Sequence, residues 1–137
     1  MTMECIFCAI VAGEAPSEIV YRDEQCVAFM DINPWTRGHL LVVPRAHVPD
    51  VWELSEEQAG AVMVAVRRVS DLVRSGLEPE GLNLIQANGV VAFQEVFHFH
   101  MHVVPRWSTD QIRMPFVPQP GDPEAIRAAA EAIRGSS

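Results

Sequence analysis

At 137 residues, about half of them apolar, the chain is long enough to bury one core without help from disulfides. A net charge of −8, with no Lys/Arg cluster longer than Arg67-Arg68, excludes a nucleic-acid reader, which needs a basic stripe against phosphates. No run of roughly 18 apolar residues is present, which excludes a transmembrane helix, and Met1-Thr2-Met3-Glu4-Cys5 lacks the basic and apolar regions of a signal peptide, so the expected location is the cytoplasm.

In chain order, Cys5-Ile6-Phe7-Cys8 comes first. In a cytosolic chain with an odd cysteine count this pair reads as a metal site or a redox pair before a structural disulfide. Residues 19–21 and 26–30 are predicted as strands, with Arg22-Asp23-Glu24-Gln25 turning between them as a hairpin. Cys26, in an apolar run, is expected to be a buried small residue. After a loop at Asn33-Pro34, residues 39–43 form a third strand that stops at Pro44, which has no N–H for a ladder.

Ser55-Glu56-Glu57-Gln58 has the form of a capping box. The helix it opens is predicted to run to about Ser75, with Gly76 as the left-handed terminal residue. Val62, Val66, Val69 and Val73 recur at three- and four-residue steps and give it one apolar face. Residues 82–87 and 96–104 are the fourth and fifth strands, the last closed by Pro105. Pro115, Pro118 and Pro120 predict an irregular stretch, and Asp122-Pro123 opens a last helix reaching Arg134 and ending at Gly135. Strands, one long helix, two strands and a late helix, with no repeat, linker or composition break, predict a single α+β domain with a largely antiparallel sheet.

Three of the five histidines stand at positions 98, 100 and 102. Along a strand, residues two apart share one face and lie about 7 Å apart at Cα, so the three imidazoles line up while Phe99, Met101 and Val103 face the core. Such a face calls for a polar pocket above it; three surface histidines on a half-exposed strand are the alternative.

His98-Phe99-His100-Met101-His102-Val103-Val104 matches the signature of the histidine triad superfamily. Cys5-Ile6-Phe7-Cys8, Phe29-Met30-Asp31-Ile32-Asn33-Pro34, the segment from Gly38 to His47, Asn88-Gly89 and Gln94-Glu95-Val96 resemble the family's other blocks in the same order, covering the chain to about Trp107. The tail from about residue 108 onward is left unassigned. The chain most resembles bacterial members with an N-terminal Cys-x-x-Cys.

The resemblance implies a five-stranded antiparallel sheet with one long helix and a C-terminal helix, and a homodimer whose sheets join. It also implies a hydrolase or transferase acting at the α-phosphate of nucleoside phosphoramidates, acyl-adenylates or dinucleoside polyphosphates. His100 would be the nucleophile, held transiently as a nucleotidyl-histidine; a neutral imidazole is a good nucleophile near pH 7, and a covalent intermediate divides one displacement into two. His102 would contact the phosphate and help manage protons near the leaving group. Asp31 would accept hydrogen bonds from both ribose hydroxyls of a purine nucleotide, Ile32 would pack on the base, Asn88 and Gln94 would contact phosphate, and His39 would support the site. A turn residue is the alternative for Asp31 and for Asn88. Relatives with cysteines imply a structural zinc on Cys5, Cys8, His47 and His98, against free thiols or a redox pair. Phe93 and Glu95 depart from the family's glycine before the glutamine and its serine or threonine after it, so the phosphate loop is expected to take a different path. Two other readings stand beside the enzyme: a zinc-stabilised nucleotide-binding or regulatory module without turnover, and a zinc-water hydrolase, which a closed tetrahedral shell disfavours.

Overall fold

The computed structural model describes residues 5–113 and 115–136. Five strands, β1 (Ile19–Arg22), β2 (Cys26–Met30), β3 (Leu40–Pro44), β4 (Gly81–Ile85) and β5 (Met101–Arg106), form one antiparallel sheet in the order β1-β2-β3-β5-β4. Three α-helices accompany it: α1 (Ile6–Val11), α2 (Glu56–Leu77) and α3 (Pro123–Arg134). The α+β class and the antiparallel five-stranded sheet are as the sequence predicts.

Both faces of the sheet's centre are covered, by different elements. Cys26, Ala28, Leu40, Val42, Phe99 and Val103 pack with Val62, Ala65, Val66, Val69 and Val73 of α2. Val27, Phe29, Leu41 and Val43 pack the other way, against Phe7 and Ile10 of α1. Side-chain alternation therefore sends each parity of β2 and β3 to its own layer, which is why these strands read as unbroken apolar runs.

The capping box at Ser55 and Gln58 is formed in both directions, at 3.0 and 2.9 Å. The end of α2 differs from expectation. Gly76 lies inside the helix, and the left-handed residue is Glu78 at φ 52°. The reason is Leu77: it packs on the core, and that burial outweighs glycine's preference for ending the helix two residues earlier. Leu77 also explains Gly38, whose φ is +85° and on which a Cβ would overlap Leu77 Cδ1 and lie 3.2 Å from Pro105 Cγ. Gly38→Ala should cost about 2–4 kcal/mol, combining left-handed strain with overpacking; a urea midpoint equal to that of the unaltered protein would contradict this.

Four strands also shift their boundaries: β1 extends to Arg22, and β5 runs through Pro105 to Arg106 where Pro105 was expected to close it. β3 runs 40–44 and includes Pro44, while β4 is shorter than predicted and ends at Ile85. The larger correction is β5, which begins at Met101 and not at residue 96. Its ladder with β3 pairs Leu40 with Val103, Leu41 with His102 and Val42 with Met101, and there it stops. Further along β3 the partner for this segment is Pro44, which has no N–H. Phe99 N–H donates instead to Val48 O at 2.6 Å. Alternation survives the loss of the ladder: Phe99 is in the α2-side core, whereas His98 and His100 both contact Phe7 on the α1 side.

Helix α1 was not anticipated. It is only six residues long, and its first turn is held by Cys5 Sγ accepting Cys8 N–H at 3.3 Å. Helix α3 starts at the expected Asp122 cap, and none of its residues is buried. Among the described residues no helix is long and apolar enough to cross a membrane.

Candidate active site

The register of β3 and β5 places His102 opposite Leu41, hence on the α1 side of the sheet. His39 immediately precedes β3, and Asp31 immediately follows β2, the strand paired with it. Three chain segments thus converge. His39 Nε2 lies 2.9 Å from His102 Nδ1 and 3.5 Å from Asp31 Oδ2. Trp35 N–H donates to His39 Nδ1 at 3.0 Å, and its indole stacks on His102 with centroids 4.8 Å apart and planes at 18°. Trp35 and Phe7 are aromatic neighbours that sequence reasoning missed: Trp35 follows the Asn33-Pro34 loop with no signal of its own, and Phe7 stands between the two cysteines as an apolar residue with no assigned role.

His100 and His102 are in edge contact, with centroids 5.0 Å apart. His100 Nδ1 lies 2.7 Å from His98 O. A carbonyl only accepts, so this nitrogen carries the hydrogen and the lone pair is on Nε2. His98 is set the opposite way. Its Nε2 donates to Pro44 O at 2.8 Å, which frees the Nδ1 pair.

That free pair faces two sulfurs. His98 Nδ1 is 3.4 Å from Cys5 Sγ and 3.5 Å from Cys8 Sγ, and Cys8 Sγ is 3.3 Å from His47 Nδ1. All four ligand atoms lie within 4.8 Å of one another. Tetrahedral zinc with ordinary Zn–S and Zn–N bonds needs sulfur-to-nitrogen edges of about 3.5 Å. The observed separations match, and the Pro44 carbonyl supplies the outer hydrogen bond that orients a metal-binding imidazole. The set fits a structural zinc. Burial, with the neighbouring Cys5 sulfur, pushes the Cys8 thiol up to about 11, so a cation is what would draw out its thiolate.

Burial also sets the protonation of the histidine cluster. His39, His98 and His100 are buried, and each is held below the ordinary imidazole value chiefly by that burial. His102 is pushed down to about 4 by burial and by His100 and His39 beside it. Neutral imidazoles therefore prevail near pH 7.

The other predicted site residues are placed differently. Asp31 Oδ1 accepts Asn33 N–H at 2.8 Å, a turn bond, which leaves Oδ2 beside His39. Ile32 is 87% exposed. Gln94 is buried with its amide fully used: Nε2 donates to Pro49 O and Val96 O, and Oε1 accepts Gly89 N–H. Asn88 Oδ1 accepts Val51 N–H, and its amide pairs with that of Gln86. Both side chains staple the loops around residues 49–51 and 88–96, and neither hydrogen-bonds to the histidines among the described residues. Phe93 is left-handed at φ 73° with its ring exposed, taking the backbone conformation that suits glycine.

The chain matches the HIT domain family over residues 12–109. It is 47% identical over 103 residues to the protein Hit of Bacillus subtilis, covering 75% of this chain and 71% of that one. It is 35% identical over 132 residues to the adenosine 5′-monophosphoramidase Hnt1 of Schizosaccharomyces pombe, covering 96% of each. With the adenylylsulfatase HINT3 of Arabidopsis thaliana it shares 32% over 116 residues, 80% of this chain and 59% of that one. Among solved structures, a HIT family member from Bacillus subtilis superposes with TM-score 0.92 at 38% identity over 98% of each chain. A zinc-bound histidine triad family protein from Mycobacterium smegmatis gives 0.76 at 37% identity over 97% of each.

Proposed function

Given that the chain belongs to the HIT domain family, we propose that it is a nucleotide hydrolase or transferase acting at an α-phosphorus through a covalent nucleotidyl-His100 intermediate. The observation that carries this reading is the orientation of one ring. His100 Nδ1–H is bound to the His98 carbonyl at 2.7 Å, which leaves a neutral ring with its Nε2 pair free to attack. As the P–N bond forms, the ring becomes cationic, and the same carbonyl stabilises the charge that develops on it. Nucleotide-cleaving relatives named for a phosphoramidase and an adenylylsulfatase support the α-phosphorus as the point of attack.

The substrates are nucleoside phosphoramidates, acyl-adenylates or dinucleoside polyphosphates, with an AMP-like purine nucleotide as product. Asp31 takes the ribose hydroxyls through the oxygen not used by Asn33, and exposed Ile32 packs on the base. Asn88 and Gln94 act at the phosphate by fixing the loops around residues 49–51 and 88–96 beside it. Zinc is held by Cys5, Cys8, His47 and His98 as a closed structural site that clamps the backbone carrying His100. The 137 residues work as one unit, and two copies join their sheets edge to edge.

Reaction with an α-³²P-labelled dinucleoside polyphosphate, quenched in alkaline detergent, tests the mechanism: labelled protein, stable in base and labile in acid, is expected. A binding module without turnover, which the committed amide of Gln94 favours, gives none.

The pH profile has a definite sign. Because burial lowers the His100 pKa, the neutral nucleophile persists on acidification past the ordinary imidazole value of about 6.5. The kcat/KM profile should stay flat through that value and fall only below it. An acid limb centred at or above it would be inconsistent with a buried neutral nucleophile.

A further inference from the structure

The hydrogen-bond chain ending at His102 can be oriented without ambiguity, because its first member cannot be reversed. Trp35 N–H is a backbone donor, so His39 Nδ1 accepts. A neutral His39 then carries its hydrogen on Nε2, and that hydrogen points at His102 Nδ1, 2.9 Å away. His102 Nδ1 is thereby an acceptor too, and the His102 hydrogen sits on Nε2. Reversing the middle bond would leave His39 with no hydrogen at all, an imidazolate. Asp31 Oδ2, 3.5 Å from His39 Nε2, favours the same placement. The indole of Trp35 stacked on His102 and tilted over His39 at 4.5 Å keeps both rings in this pose.

We infer that His39 is a positioning residue that locks His102 as its Nε2–H tautomer, so that His102 holds a phosphate oxygen as a hydrogen-bond donor and transfers no proton. The inference rests on His100 being the nucleophile. It departs from the expectation that His102 manages leaving-group protons. A neutral Nε2–H has nothing behind it to restore a departed proton, since Trp35 N–H is a peptide amide. In the first half-reaction the His100 Nε2 pair forms the P–N bond as the bond to the leaving group breaks. The leaving group departs with that electron pair and takes any proton it needs from water. In the second, water adds to phosphorus, the P–N pair returns to His100 Nε2, and the water proton passes to solvent. His102 donates to the same non-bridging oxygen throughout.

The assignment also separates two groups of ligand atoms. Asp31, His39 and His102 come as close together as the cysteine-histidine set does. Yet the one free pair of His39 is occupied by Trp35 N–H, and its other nitrogen bears hydrogen. His39 therefore offers a metal no free pair, which leaves the cysteine-histidine set as the better-suited of the two groups.

Two measurements decide the inference. In ¹⁵N-histidine-labelled protein, His102 should show a protonated Nε2 and an unprotonated Nδ1; a protonated Nδ1, or rapid averaging of the two, overturns it. In His39→Phe the two tautomers should mix and kcat fall with KM little changed, and His39→Gln, whose amide can donate to His102, should restore both. Second, His102→Gln keeps an N–H donor but cannot act as an acid. Its loss of kcat/KM on the 4-nitrophenyl ester of AMP should equal that on the phenyl ester to within about fivefold. A loss growing beyond that on the poorer leaving group identifies a proton transfer and overturns the inference. If the unaltered protein cleaves neither ester and traps no nucleotide, the nucleophile reading has failed, while the ¹⁵N shifts still decide the tautomer.

Discussion

His100→Ala should lower kcat by at least about a thousandfold on any nucleotide substrate the unaltered protein cleaves, because covalent catalysis has no substitute once the attacking atom is gone. The fold should survive. His100 lies outside the β5 ladder, belongs to neither main apolar cluster, and forms its ring hydrogen bond with the carbonyl two residues back. Deleting the ring removes its edge contact with Phe7 and leaves the His98 carbonyl needing a water, a cost of about 1–2 kcal/mol. Circular dichroism and the urea midpoint report the fold; the acid-labile adduct reports the chemistry. Retained turnover with a native spectrum would end the proposal that position 100 is the nucleophile.

The second large effect is at the metal. Cys8→Ser should reduce zinc from one equivalent per chain to near zero, measured on protein purified without added metal. It should also lower stability by about 3 kcal/mol, or about 10 °C in Tm for a chain of this length. The size follows from position. Cys8 Sγ contacts both His47 and His98, so its loss breaks the group at its centre. Activity should fall about 10- to 100-fold, since the unclamped His98 carries the carbonyl that orients His100. Chelation of the unaltered protein should reproduce both changes, and zinc should reverse them. Full zinc content in the variant would remove the assignment.

Much of this was legible in residue order. Alternation at 98, 100 and 102 placed three imidazoles on one face and Phe99, Met101 and Val103 on the other, and that survived even though the ladder covers only the last of the histidines. What periodicity cannot report is where a partner strand runs out, and here it runs out because β3 ends in Pro44. Local signals decided helix ends well where side chains supplied the bonds, as at Ser55 and Asp122. They failed at Gly76, where tertiary packing of Leu77 overrode them. Family blocks named Gln94 and Asn88 for phosphate contacts, but no sequence pattern shows that their amides are already committed to backbone and to Gln86. Nor could Trp35 be found from sequence, because its function is exerted largely by a main-chain N–H that every residue but proline possesses.

The double-sided packing of β2 and β3 bears on how freely this protein can change. A strand with one wet face tolerates substitution at every second position, but here the residues of both parities are enclosed by different helices. Almost any new side chain in that pair must be matched in volume by a neighbour in one layer or the other. Diversification of specificity is thereby channelled into the exposed positions of the loops at the strand ends, such as Ile32 and Phe93, where a bulky replacement disturbs no interior layer.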